Sequence, residues 1–316
     1  MPFDFDAAVV APHRMQPGLR RLAAGTAQLT PLHPGARAQR EKLAVLSAFP
    51  GQALCAEPGF DAGPALDALC RHAATEQPGL WAWDGVLATA HGQGVAVSSR
   101  GDVVRRTEGA FGLGDEVARC LRALPAAWRL AGLLALSFAE DLALVDTGAG
   151  RIPWLAVALP SHWAPEAKVG RHFTEVHGPV ADNALLLKAT EGLMRLVAGP
   201  ERWERFVWTV TDHPRLHAHP AHVDPARWTR PDPAAAWWRT EHQTFLPLPG
   251  LGLAGFTIHV ELQPLAVAMA PPGRAAALHD ALASMSPAVL RYRGLHPVRE
   301  PLLAWLRARR DGGGPA

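Results

Sequence analysis

Cysteine is scarce in this chain of 316 residues: Cys55, Cys70 and Cys120 stand far apart, and no C-x-x-C occurs. That spacing argues against zinc ribbons, iron–sulfur clusters and covalently attached c-type heme, and fits free buried thiols in a reducing compartment. An excess of charge of one sign is lacking too. The net charge is +2, and no dense Lys/Arg run interleaved with aromatics appears, so there is no footprint for nucleic acid. The longest apolar run, LAGLLALSFA (Leu130 to Ala139), is too short to span a bilayer and is followed by Glu140 and Asp141. The start, MPFDFDAAVVAP, is acidic and short of apolar residues, which is not the pattern of a secretory signal. A cytoplasmic protein is expected.

What is present reads as an ordinary globular chain. Hydrophobic residues make up 48% and charged ones 19%, enough to fill the core of one large domain or of two unequal ones. Apolar spacing of three and four predicts helices over 36–48, 64–78, 114–124 and 183–198, the last capped by Asp182, and two more near 272–285 and 298–309. WRLAGLLALSF (128–138) and RIPWLAVAL (151–159) read as strands. Between them, Glu140 and Asp141 are expected to mark a solvated strand end or, less simply, the mouth of a cavity. RFVWTVTD (205–212) reads as a strand, and 237–264 as a β-hairpin. Residues 1–34 read as an irregular arm, and RRDGGGPA as a disordered tail. Helices mixed with antiparallel strands, without βαβ alternation, give an α+β fold.

The segment PSHWAPEAKVGRHFTEVHGPV, Pro160 to Val180, follows a buried strand and packs a short helix start, a cation, an acid and two histidines together, so it looks like the wall of a pocket. Pro165 suits a first helical turn and Gly170 a stop. His172 and His177 are five apart, a spacing that lets at most one point into a given pocket, and a lone histidine is more often hydrogen-bonded structure than ligand. In WRTEHQTF, Arg239, Glu241 and Gln243 share one strand face. Such a row either faces solvent or meets partners or a ligand, because burying it unpaired is costly. GLGLAG (250–255) lacks the strand-before, helix-after setting of a dinucleotide loop and is better read as a hairpin turn. His213, His217, His219 and His222 crowd a proline-broken loop, which we expect to be solvated rather than a metal site.

Several of these segments together resemble one family. The 160–180 stretch is similar to its P-S-x-W-x-P-x-x-K-x-G-x-x-[LF]-x-x-[IV]-H-x-P-V run. RFVWTVTDHPRL resembles R-x-x-W-x-[IV]-x-D-x-P-x-[LF], and RTEHQTFLPLP resembles R-x-E-R-Q-T-L-x-R-L-P. MQPGLRRL and FAEDLALV fit as well, so the likeness covers roughly residues 10–295. The family is the heme-dependent oxidative N-demethylase alpha-subunit-like group. The resemblance implies a PAS-like antiparallel sheet with flanking helices, core about 80–265 within a domain of 35–297, between the arm and a C-terminal helix and tail (298–316). It implies noncovalent heme b that activates O2 to demethylate a small secondary alkylamine such as dimethylamine, with electrons from a separate flavin/iron–sulfur reductase. By position it makes His177 the axial iron ligand and Lys168 a partner for a heme propionate or a buried acid. It also brings Trp163, Gln243 and Thr244 to the cofactor, with Arg239 gripping a carboxylate bidentately and Glu241 positioning or deprotonating the amine. His242 and Pro247 stand where the family pattern has arginines. A non-catalytic PAS-like heme or ligand sensor is the alternative, and a metal hydrolase built on the histidine loop ranks last.

Overall fold

Runs of alternating side chains between residues 203 and 264 form the three long strands that frame the molecule. The computed structural model describes residues 3–178 and 180–310; the side chains of His177, Leu186 and Pro249 also lie outside the described residues. In chain order, helix α1 (Phe5–Ala8) and strand β1 (Arg20–Arg21) lead to helices α2 (Arg37–Ala48) and α3 (Pro50–Ala53), strand β2 (Leu54–Ala56) and helix α4 (Gly63–Glu76). Strands β3 (Trp81–Trp83), β4 (Leu87–Ala90), β5 (Val95–Ser98) and β6 (Val103–Arg105) then pair consecutively into a small antiparallel sheet. Helices α5 (Glu116–Ala123) and α6 (Ala126–Ser137) precede strands β7 (Asp141–Asp146) and β8 (Arg151–Ala156). After α7 (Phe173–His177) and α8 (Ala184–Ala198) come β9 (Trp203–Thr211), β10 (Trp237–Leu248) and β11 (Leu253–Pro264). The chain continues through α9 (Leu265–Ala268), α10 (Arg274–Ala283), α11 (Pro287–Tyr292) and α12 (Arg299–Arg310). The large sheet runs β1-β9-β10-β11-β7-β8-β2, antiparallel throughout. This is the α+β fold the sequence pattern predicts. Among the described residues, no helix is long and apolar enough to cross a membrane.

Register fixes what the sheet presents. Arg239 lies opposite Thr209 and Leu262, Glu241 opposite Val207 and Val260, and Gln243 opposite Arg205 and Ile258. Directly opposed residues share a face, so these side chains form one patch on β9, β10 and β11. The main core joins α2, α4, α5, α6 and the small sheet to β7 and β8, with Leu133, Leu134, Leu136 and Leu144 fully sealed. Each such leucine contributes roughly 1.5–3 kcal/mol by leaving water. A second core gathers α10, α11 and α12 around Trp208 and Trp238.

Several sequence expectations are corrected here. WRLAGLLALSF is helix α6, not a strand; a short Leu/Ala run buried on all sides has no period to choose by, and both residues are strong helix formers. Gly132 within it lets α5 approach, since a Cβ there would stand 2.8 Å from Leu121 and 2.9 Å from Leu124. Glu140 and Asp141 are not solvated: they are 2% and 0% exposed, and Lys42 Nζ lies 3.1 Å from Asp141 Oδ1 while donating to the Phe138 and Glu140 carbonyls. Asn183, not Asp182, occupies the cap position of α8; Asp182 sits at φ 54 and accepts from Ser286 Oγ at 2.6 Å. The arm is irregular outside α1 and β1, as expected, and it is docked: β1 pairs with β9, and Phe5, Val9, Leu22 and Leu29 are buried.

Candidate functional site

A cavity of about 340 Å³ opens on the patch that carries Arg239, Glu241 and Gln243. That is the size of a small-ligand site. Its floor is the sheet: Arg205, Val207 and Thr209 from β9, Phe245 beside the β10 row, Phe256 and Ile258 from β11, and Ala143, Val145 and Leu155 from β7 and β8. Leu193 and Met194 of α8 wall one side. The segment 160–180 walls another, through Ser161, His162, Trp163, Lys168, Phe173, Val176 and Val180, as its composition suggested. Met15, Ile152, Trp208, Arg227, Tyr292 and Arg293 complete the lining among the described residues.

Of the residues singled out from sequence, Arg239, Glu241, Gln243, Lys168 and Trp163 meet in this one cavity. Arg239, 1% exposed, donates from Nε to Ser161 Oγ at 2.7 Å, from Nη1 to the Arg215 carbonyl at 2.9 Å, and from Nη2 to the carbonyls of Leu159, Pro160 and Leu216 at 3.2, 3.2 and 2.8 Å. Its fork is spent on backbone oxygens, which corrects the expectation of a bidentate grip on a carboxylate. Burial draws its pKa down to about 10, with Glu241 opposing, so it remains a cation. Glu241 accepts a short hydrogen bond from Gln243 Nε2, which fixes the carboxylate toward the cavity. Lys168 donates to the Val176 carbonyl at 3.0 Å, and burial lowers its pKa.

Thr244 does not join them. One residue out of phase with Gln243, it points to the other face, where its Oγ1 accepts from Gln28 Nε2 at 2.7 Å and meets Thr257 Oγ1 at 2.7 Å. Period two alone places it there. His242, also on that far face, pairs with Glu204 at 2.7 Å. His172 caps α7, its Nδ1 accepting from the Thr174 N–H while Glu175 accepts from the His172 N–H, which is a structural task. The side chain of His177 lies outside the described residues; its backbone ends α7, one position after the cavity-lining Val176.

The histidine loop is packed, not solvated. His217 meets the Ala158 carbonyl, His219 (3% exposed) meets Glu166, and His222 meets Gln52 and stacks near Phe49. No group of three or more His, Cys, Asp or Glu among the described residues could hold a metal ion.

Sequence reasoning missed Arg205, Arg227, Arg293, Tyr292 and His162. Arg205 was within reach, because it shares parity with Val207 and Thr209 on β9. Arg227, from a loop, and Tyr292 with Arg293, the last residue and the cap of α11, carry no periodic signal. His162 takes an unusual left-handed backbone (φ 62) and packs edge-on against His213 at 5.2 Å. Its Nε2 is buried without a partner, and burial, helped by Arg227 and Arg239, drives its pKa down to about 3. It is therefore a neutral imidazole at neutral pH, the form that binds metal.

An apolar-walled cavity with Lys168, Arg205, Arg227, Arg239 and Arg293 toward it suits a flat, hydrophobic group that bears carboxylates, which is the chemistry of a porphyrin. A heme iron needs protein ligands only at its axial positions, so a three-residue metal cage is not required. The residues present fit such a group.

No curated protein matches the chain. A family model described as "Haem-dependent oxidative N-demethylase, alpha subunit-like" matches residues 124–303, a stretch that holds every lining residue of the cavity except Met15. With more than half of its length inside that match, the chain belongs to the haem-dependent oxidative N-demethylase alpha subunit-like family.

Proposed function

We propose that the protein is the oxidising subunit of an N-demethylase that binds heme b noncovalently in this cavity and acts on a small secondary alkylamine of the dimethylamine kind. The supporting observation is the cavity itself: apolar sheet and helix walls, a surplus of cations, and one fixed carboxylate, in a chain of this family. When bound, the heme would supply O2 activation for oxidation of an N-methyl group, releasing a primary amine and formaldehyde. Reduction of the second oxygen atom to water takes two electrons and two protons, and we assign the electrons to a separate flavin/iron–sulfur reductase, in keeping with an alpha subunit that works with partners.

The chain's own residues divide the remaining work. His177, following Val176 on α7, would be the residue that holds the iron. Lys168 and Trp163 would hold the porphyrin from the 160–180 wall, Lys168 as a cation for a propionate. Glu241, held by Gln243, pairs with the ammonium form of the substrate, orients its methyl group and takes its proton. Arg239 positions Glu241 by pinning β10 to two loops. Thr244, on the opposite face, steadies the strand rather than touching ligand.

The test is the absorption spectrum of protein purified from heme-supplied cells, followed by formaldehyde release from dimethylamine with an artificial electron donor. We expect a Soret band that shifts with dithionite and CO, changes form in His177→Ala, and accompanies formaldehyde release that falls roughly 100-fold or more in Glu241→Gln. An unchanged spectrum in His177→Ala removes that ligand. A CO-responsive Soret band without any formaldehyde points to a sensor instead.

A further inference from the structure

Arg205 sits on the cavity floor opposite Gln243, and its guanidinium makes no hydrogen bond or ion pair among the described residues. Its Nε is sealed from solvent without an acceptor. Arg293 beside it shares the condition: its Nε is likewise orphaned, and its other contacts are the Trp208 carbonyl, the Trp208 ring at 5.0 Å and the Met15 sulfur. The remaining cations of the lining are engaged, Arg227 with Asp212 at 3.3 Å, Arg239 with its carbonyls and hydroxyl, and Lys168 with the Val176 carbonyl. Glu241, the one carboxylate in the lining among the described residues, accepts from Gln243 and makes no ion-pair contact with Arg205. A half-buried cation that Glu241 attracts only through space, with no ion-pair contact, is costly to keep, and the ordinary way to meet the cost is a ligand that supplies the contacting charge.

We propose that Arg205, supported by Arg293, forms a carboxylate-binding subsite at the Glu241 end of the cavity. Guanidinium recognises carboxylate through paired N–H donors, and Arg205 has them free. Two carboxylates can fill the subsite: a propionate of the porphyrin, or the carboxylate of an N-methyl amino acid whose secondary ammonium meets Glu241. The second source rests on the demethylase reading and deepens it, because a cation-rich cavity favours a zwitterion over a bare ammonium.

The probe is Arg205→Met in the full chain, with Arg205→Lys beside it. The ligand-free Met variant is expected to melt no lower than wild type, since the change removes an unpaired buried charge; a purely structural arginine would show a clear loss. Apo protein is titrated with hemin and with hemin dimethyl ester, and thermal shifts are recorded with N-methylglycine and with dimethylamine. A propionate in the subsite makes wild type favour the free acid over the ester by roughly ten- to a hundredfold, a preference that Arg205→Met abolishes. A substrate carboxylate instead gives stabilisation by N-methylglycine but not by dimethylamine, again lost in the Met variant and partly kept in Lys. If both preferences are the same in wild type and Arg205→Met, or if the ligand-free variant is destabilised, the subsite is overturned. If neither porphyrin binds wild type, the heme reading fails by itself, and the N-methylglycine arm still decides the subsite.

Discussion

Glu140 is 2% exposed, accepts a hydrogen bond from the Thr30 N–H at 2.8 Å, and lies 3.4 Å from His259 Nδ1. Burial pushes its pKa up to about 7, against the pull of the Thr30 N–H and of Lys42. The folded protein therefore keeps this proton up to about pH 7, whereas the unfolded chain releases it near 4.5. Between those values the folded state binds more protons, so this group's contribution to stability declines as pH rises through the window. Glu140→Gln keeps an acceptor for Thr30 and removes the titration. Urea melts at pH 5 and pH 7.5 should show the variant gaining on wild type by roughly 2 kcal/mol between the two; a difference independent of pH would sink the assignment. His162 and His213, whose depressed pKa values act in the opposite sense, remain in both proteins. None of this was legible in the sequence, where Glu140 and Asp141 read as a wet strand end. Their partners, Thr30 and Lys42, lie about a hundred residues away, and only the fold brings them together.

Strand β10 shows how much alternation does reveal. The sharing of one face by Arg239, Glu241 and Gln243 follows from period two, and so does the opposite placing of Thr244. Which face would be covered, and what would meet Arg239, depended on the loops at Leu159–Ser161 and Arg215–Leu216. Because that guanidinium joins β10 to both loops, Arg239→Ala should lower stability by roughly 3–5 kcal/mol, as for other sites where buried polar partners are orphaned. Arg239→Lys should recover little, since an ammonium has three donors and no planar fork. Denaturant melts that left Arg239→Lys at wild-type stability would refute the clamp. The contrast with Arg205, one strand away, is informative: of two arginines on the same sheet face, removal of the fully buried, hydrogen-bonded one should cost stability and removal of the half-buried, unpaired one should not. Helix α6 marks the limit of pattern reading, because a sealed Leu/Ala run offers no polar face from which to take a period.

Across the whole molecule, the likeness of ordered motifs carried the family, and the α+β class followed from mixed periodicities. The arm, irregular outside α1 and β1 as its sequence reads, is held by a few long-range anchors that no periodic pattern announces. Phe5, 4% exposed, packs 5.8 Å from Trp238 and beneath the Arg274 guanidinium, in the core built from α10, α11 and α12. Phe5→Ala should therefore cost roughly 3–5 kcal/mol and lower the melting temperature of the entire chain; a loss below about 1 kcal/mol would return the arm to a passive role. The long excursion between β9 and β10, residues 212–236, has a different import. It lends Arg227 to the cavity and two carbonyls to Arg239, yet contributes nothing to the pairing of the strands it connects. Because its Leu216, Ala218 and Trp228 are buried, one loop sets both the cavity lining and the footing of β10, and a change there reaches ligand preference and stability together.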